Sequence, residues 1–152
     1  MIVTFVVPGQ PQGKGRARVG RIAGHARMFT PEKTLAYEGL VAHQASIAMG
    51  PLPLFEGPCS VSMDIVCQIP ASWSVKKQTQ AIIGAIRPIT KPDVDNVEKA
   101  IFDGCNGVVW KDDVQVVDVR KSKRYGEIPG VTVVIAYATP GIAPAQQEEL
   151  AA

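Results

Sequence analysis

KPDVDNVEKAIFDGCNGVVWKDD, Lys91–Asp113, is the stretch from which the rest of the chain can be read. It holds five aspartates (Asp93, Asp95, Asp103, Asp112 and Asp113) and three lysines (Lys91, Lys99 and Lys111). Asp93 and Asp95 stand one residue apart, directly after Pro92, and Asp112 and Asp113 close the stretch as an adjacent pair. Between them Val97, Ala100, Ile101, Gly104, Cys105 and Val108 recur at i, i+3, i+4, i+7, i+8 and i+11, the period of one apolar helix face. The helix is expected to begin at about Asp95 or Asn96. Lys99 lies off the apolar stripe, one turn on from Asp95 and on the same side. Gly104 and Gly107 let the chain turn back, Trp110 anchors the return, and Asp112-Asp113 opens a strand that runs to about Arg124.

Before this stretch, Ile2–Val7 is a continuous apolar, β-branched run ended by Pro8-Gly9, and reads as a first strand buried on both faces. Gly9–His25 is rich in Gly, Arg and Gln without periodicity, and reads as a long loop or mobile arm; such a loop inside a compact domain usually has a functional reason. Thr30-Pro31-Glu32 is a helix start, with Thr30 as N-cap and Pro31 as the first helical residue. Tyr37, Leu40, Val41, Ala45 and Ala48 then share one helix face until Gly50-Pro51. Ser60–Ile69 alternates: Val61, Met63, Ile65, Cys67 and Ile69 face one way, and Ser60, Ser62, Asp64 and Gln68 the other, with Val66 the exception. Ser72–Ala85 carries a weaker helical pattern. After the central stretch, Val131–Ala138 is a last strand, expected to form an antiparallel hairpin with the strand before it. Pro140–Ala152, rich in Ala, Gln and Glu, is expected to be a disordered or loosely helical tail beyond a domain of residues 1–139. The order β, α, β, (α), α, β, β predicts an α+β domain: a small mixed β-sheet of about four strands with two or three helices packed on one face.

The 152 residues suffice for one domain with a hydrophobic core. No apolar run approaches a membrane span, and MIVTFVVPGQ lacks the basic start of a signal peptide, so a cytoplasmic protein is expected. Cys59, Cys67 and Cys105 are odd in number and never form a CxxC pair, which argues against a disulfide framework and a structural zinc site; they read as reduced core residues. The net charge is only +2 but is unevenly spread. No acid occurs from Met1 to Pro31, where Lys14, Arg16, Arg18, Arg21 and Arg27 lie, and a second basic run spans Arg120–Arg124 with Lys121 and Lys123. Basic segments flanking an acidic centre suit a protein that grips phosphates and acts on one of them, although a single short basic run is more often a solvated loop.

Taken singly, each aspartate has a structural use: Asp95 as a helix cap, Asp93 in a turn, Asp112-Asp113 as solvated loop. Taken together, with Asn96 and Lys99 beside Asp95, they point to a site for a hard divalent cation, which takes oxygen ligands. Three unpaired aspartates are costly unless a cation neutralises them. Lys99 is placed to meet the scissile phosphate or a developing negative charge; its structural alternative is an i,i+4 pair with Asp95 or Asp103, worth only tenths of a kcal/mol. No cysteine or serine nucleophile with a base partner is visible, and His25 and His43 lie far from the acidic motif in sequence. Pro92-Asp93 superficially suggests a PD-(D/E)xK nuclease. In such an enzyme, however, the acid-x-lysine pair lies on a strand, whereas Glu98 and Lys99 are adjacent and helical.

The residues Asp93-Val-Asp95-Asn96-Val-Glu-Lys99-Ala, then Asp103, then Trp110-Lys-Asp112-Asp113-Val-Gln115 resemble the RusA family of Holliday junction resolvases, often encoded by phages and prophages. Pro8-Gly-Gln-Pro-Gln-Gly-Lys14-Gly-Arg16 and Phe29-Thr-Pro-Glu-Lys-Thr34 resemble the family's opening, and the likeness spans roughly Ile2–Ala138. It implies a magnesium-dependent homodimeric endonuclease, with manganese able to substitute, that cuts opposing strands of a four-way DNA junction in a bacterial or phage-infected cell. On the matching positions, Asp93, Asp95 and Asp113 are the metal-binding catalytic acids, Lys99 is a catalytic lysine and Asp112 is a further metal ligand; Asp103 is left as structural. Lys14, Arg16, Arg18, Arg21, Arg27, Asn96, Lys121 and Lys123 are the expected DNA contacts. The competing readings are a non-catalytic, structure-selective DNA-binding module with the same fold, and a metal-dependent hydrolase of RNA or nucleotides.

Overall fold

The computed structural model describes residues 1–137 of the chain. Its elements run β1 (Ile2–Pro8), β2 (Arg18–Ile22), β3 (His25–Phe29), α1 (Glu32–Met49), β4 (Cys59–Gln68), α2 (Val75–Ile82), α3 (Val94–Cys105), a 3-10 turn (Asp113–Gln115), β5 (Val116–Gly126) and β6 (Gly130–Tyr137). Four strands form one mixed sheet in the order β1-β6-β4-β5; β6 is antiparallel to both neighbours, and β4 and β5 are parallel. This is the α+β architecture expected. The expected tail, 140–152, lies outside the described residues.

Alternation decides the layers. Val3, Phe5 and Val7 of β1, Val61, Met63, Ile65 and Cys67 of β4, and Val131, Val133 and Ile135 of β6 are all buried on one sheet face. Tyr37, Val41, Ala45 and Met49 of α1 and Val97, Ala100, Ile101 and Cys105 of α3 complete that core. The three cysteines are free and buried, and burial pushes the thiols of Cys59 and Cys105 up to about 11 and about 12. They stay protonated at neutral pH, as core residues rather than nucleophiles. Trp110 is wholly buried, with its indole N–H donating to Asn106 Oδ1 (2.7 Å) and its ring edge-on to Phe102.

Several expectations are corrected. β1 is buried on one face only, because among the described residues no layer covers its other face, and Ile2 and Val6 stay half exposed. Within Gly9–His25, expected as a long loop or mobile arm, Arg18–Ile22 is a strand that forms an antiparallel hairpin with His25–Phe29. α1 takes Pro31, not Thr30, as its N-cap and has no side-chain cap. α2 is shorter than 72–85; Ser74 caps it by accepting from Lys77 N. α3 starts at Val94, so Asp93 occupies the N-cap position and Asp95 lies in the first turn. Asp112-Asp113 opens a 3-10 turn, and β5 begins only at Val116. β5 and β6 are not a hairpin, because β6 inserts between β1 and β4. Gly107 does turn the chain, with φ +77° and its N–H on Trp110 O (2.7 Å). Gly104 has another use: a Cβ there would meet Val41 Cβ at 2.7 Å and Glu38 O at 2.9 Å, so its lack of a side chain lets α3 close onto α1.

Candidate active site

The two ends of the acidic stretch are held by different devices. At the C-terminal end, Asp112 caps the 3-10 turn: its Oδ1 accepts from Val114 N (3.4 Å), while Gln115 Oε1 accepts from the N–H groups of Lys111 (3.0 Å) and Asp112 (3.3 Å). This is a capping box of the D-x-x-Q kind. The other end of Gln115 donates to Phe55 O (2.7 Å) and Gly57 O (3.1 Å), fixing the turn to the loop before β4. The adjacent acids thereby diverge in role. Asp112 is exposed and occupied with the backbone, whereas Asp113 is half-buried. Burial raises the Asp113 carboxyl, as do its hydrogen bond to Asp112 and the charges of Asp112 and Asp103; Lys99 opposes them. Asp103, Asp112, Asp113 and Lys99 therefore form one electrostatic group between α3 and the turn.

At the N-terminal end, Asp93 is exposed, and its side chain makes no capping bond. It lines a cleft of about 650 Å³ with Lys91, Pro92, Asn96 and the Gln10–Arg16 segment. That segment is tied to both helices: Lys14 N donates to Asn96 O (3.0 Å) and Gly15 N to Thr34 Oγ1 (2.9 Å). A Cβ on Gly13 would sit 3.1 Å from Asn96 Cβ, and one on Gly15 2.9 Å from Thr34 Oγ1, so a side chain at either position would push its neighbour aside. A second cleft of about 330 Å³, lined by Arg16, Arg18 and Lys33, continues toward the hairpin. Lys123 donates to Thr90 O (2.9 Å) and Pro92 O (3.0 Å), holding the turn before Asp93.

Asp95 points elsewhere. Its carboxylate takes the Lys121 ammonium (2.7 Å), which also meets Glu98 (3.0 Å). The bond from Lys121 holds the Asp95 carboxyl below the usual range. Burial opposes the charge on Lys121, but its bonds to Asp95 and Glu98 outweigh that and raise it. Lys14 is likewise engaged, its ammonium lying between Asp103 and Glu38 (3.3 Å to Glu38), and the hydrogen bond to Asp103 raises it.

Of the expected DNA contacts, Arg16, Arg18, Arg21, Arg27 and Asn96 are exposed, whereas Lys14, Lys121 and Lys123 bond within the chain. Asp93, Asp95 and Asp113 are all positioned by α3 and the turn that follows it, but among the described residues no three acidic, histidine or cysteine side chains gather as a metal-holding group. The oxygen donors are of the kind a hard cation takes, but they are spread over separate places, Asp93 in the first cleft, Asp95 on Lys121 and Asp113 beside Asp112. Asp113, Asp112 and Asp103 are carboxylates opposed by Lys99, and Asp113 carries the raised carboxyl of a like-charged cluster. Sequence reasoning did not single out Glu38 and gave Gln115 no role beyond its place in the motif; its capping role was detectable from its place three after Asp112, while Glu38 joins the site only through Lys14.

Comparison with known proteins bears on the same stretch. Residues 8–136 match the family described as Endodeoxyribonuclease RusA. The Bacillus subtilis (strain 168) protein named Uncharacterized protein YqaN is 39% identical over 135 residues, covering 88% of this chain and 94% of that one.

Proposed function

This chain belongs to the RusA endodeoxyribonuclease family, and we propose that it hydrolyses phosphodiesters at four-way or otherwise branched DNA junctions. In this reading it is a divalent-metal-dependent homodimer acting in the cytoplasm of a bacterial or phage-infected cell. The observation that carries the reading is half-buried Asp113, hydrogen-bonded to Asp112 and felt electrostatically by Asp103 and Lys99. Even with Lys14 on Asp103 and Lys99 opposing Asp113, the three aspartates carry more negative charge than the two lysines offset, as a cation site does.

Asp93, Asp95 and Asp113, with Asp112 beside them, are the groups that would hold Mg2+, or Mn2+ in its place. Bound there, the ion would supply Lewis-acid stabilisation of the phosphoryl oxygens and a water more readily ionised. The chain's own groups do the rest. Arg16 and Lys91 line the cleft that Asp93 opens onto and are suited to hold the backbone phosphates. Lys99, across from Asp113, places a positive charge where negative charge develops on the reacting phosphate. Lys14 orients Asp103 and ties the cleft segment to α1 and α3. Arg18, Arg21 and Arg27 extend the phosphate track outward. A symmetric dimer presents two such sites to two strands, which is how one assembly makes paired cuts.

The ion pair of Asp95 with Lys121 also suits an acid whose duty is structural, and it favours the second reading, a non-catalytic junction-binding module. Asp95→Asn separates the two. For the nuclease, cutting of a labelled junction in Mg2+ is lost and junction binding persists. Cutting that survives removes Asp95 from the site. A substrate panel of junction, linear duplex, RNA and nucleotides separates a junction nuclease from a general metal-dependent hydrolase.

A further inference from the structure

The β2–β3 hairpin is an uncovered ribbon. Ala23 and Gly24 form its two-residue turn, with φ +53° and +78°, the left-handed pair that a type I′ hairpin turn uses. Apart from half-buried Gly20, every residue from Arg16 to Phe29 is exposed. Val19 is 70% exposed and Met28 67%, on one face; Ile22 is 52% and Phe29 40%, on the other. A lone two-stranded hairpin is marginally stable in water, and this one offers apolar side chains on both faces. Among the described residues no other element packs broadly on either face.

Charge selects the occupant. The register puts Arg18, Arg27 and His25 on one face with Phe29 and Ile22, and Arg21 on the other with Val19 and Met28. No acid occurs before Glu32. A second copy facing this ribbon with its own would oppose like charges, whereas a DNA major groove presents phosphate on both walls and, among its polar base edges, thymine methyl groups that take apolar contacts. A two-stranded ribbon fits the B-DNA major groove, about 12 Å wide. Five residues per strand, at about 3.4 Å each, span about five base pairs. The ribbon's root is also continuous with the site: Arg16 and Arg18 line the second cleft, and Arg16 the first, where Asp93 lies.

We propose that β2–β3 enters the major groove of a duplex arm beside the reacting phosphate. The face of Val19, Met28 and Arg21 turns to the groove, with Val19 and Met28 against base edges and Arg21, next to the turn, reaching a phosphate, while Arg18 and Arg27 on the other face reach the flanking phosphates. This rests on the reading of the protein as DNA-acting, but not on cleavage.

The test uses the full chain in Ca2+, with no cutting required, and measures binding to a four-way junction and to linear duplex between 50 and 200 mM salt, about the range over which phosphate contacts are felt. Arg21→Ala/Arg27→Ala is expected to reduce the slope of log K against log salt by about 2, roughly 0.9 for each lost phosphate contact. Val19→Ser/Met28→Ser is expected to keep the slope, weaken binding about five-fold or more, and remove protection of guanine N7 in the groove. Both variants should melt with the wild type, because the substituted side chains are exposed. Unchanged slope and affinity in both variants overturn the proposal. So does loss of the dimer with unchanged affinity per protomer, which makes the ribbon a protein contact. A wild type that binds through the ribbon but never cuts in Mg2+ removes the nuclease reading and leaves this one standing; cutting with ribbon-independent binding does the reverse.

Discussion

Two glycine-to-alanine substitutions, chemically identical, should move stability in opposite directions. Gly39 lies on the exposed side of α1, and a Cβ added there would have nothing within 4 Å of it. Gly39→Ala should therefore register helix propensity alone and stabilise by about 1 kcal/mol. Gly104 lies on α3 against α1, where a Cβ would meet Val41 Cβ and Cγ1 at 2.7 Å and Glu38 O at 2.9 Å. The Cβ and the carbonyl oxygen are fixed by the α1 backbone, so no rotamer change in Val41 relieves the clash. The helices must separate by several tenths of an ångström, and overpacking of this kind costs about 1–3 kcal/mol. Gly104→Ala gains the same propensity, so the difference between the two variants isolates the overpacking. For a chain of this size, 1 kcal/mol corresponds to about 2–4 °C in Tm. Thermal melts of metal-free protein should thus place Gly104→Ala about 2–12 °C below Gly39→Ala. If the two melt together, α1 and α3 do not meet at Gly104, and the account of how Glu38, Lys14 and Asp103 are brought together loses its basis.

Asp112→Ala removes the cap of the 3-10 turn and should cost about 0.5–2 kcal/mol by urea denaturation, whereas Asp113→Asn relieves a like-charge contact and should not destabilise metal-free protein at neutral pH. The Asp113 carboxyl is raised on folding, so its contribution is fully present below the ordinary aspartate value and is lost as pH rises through the folded value; Asp113→Asn should flatten that part of a stability–pH curve. Asp95 has the opposite sign. Its carboxyl is lowered by Lys121, so the pair contributes above the ordinary aspartate value and is lost as pH falls through the folded one; Lys121→Met should abolish this acid-side dependence. Mg2+ at one hundred times its Kd should stabilise the wild type by about 2.7 kcal/mol, or about 5–10 °C in Tm. The gain should shrink sharply in Asp113→Asn, and an equal gain in both would place the ion elsewhere.

Where burial imposed a period, the fold was legible. The i, i+3, i+4 stripe of α3 and the alternation of β4 both face the core as expected, since those residues have one apolar side to hide. The hairpin at 18–29 was illegible for the converse reason: neither face is covered, so nothing forced its polar and apolar residues to alternate. Strand order was illegible as well. The short connection at 127–129 suggests a β5–β6 hairpin, but the partners of β6 are β1 and β4, chosen by long-range packing. Acidic candidates for a site could be named, but their partners in the fold could not. Lys14 reads as a free phosphate ligand, yet its mates are Glu38, on the next helix, and Asp103, 89 positions away. The different environments of Asp112 and Asp113 follow from one local signal, Gln115 at the third position after Asp112, which makes the first a cap and turns the second inward.

The most direct measurement is a strand-resolved cleavage assay on an immobile four-way junction with each strand labelled in turn, in Mg2+ and in Mn2+. The proposed nuclease makes metal-dependent nicks paired across two opposing strands, lost in Asp93→Asn, Asp95→Asn and Asp113→Asn while junction binding remains. An intact junction in both metals, or nicking that persists in the aspartate variants, would contradict it.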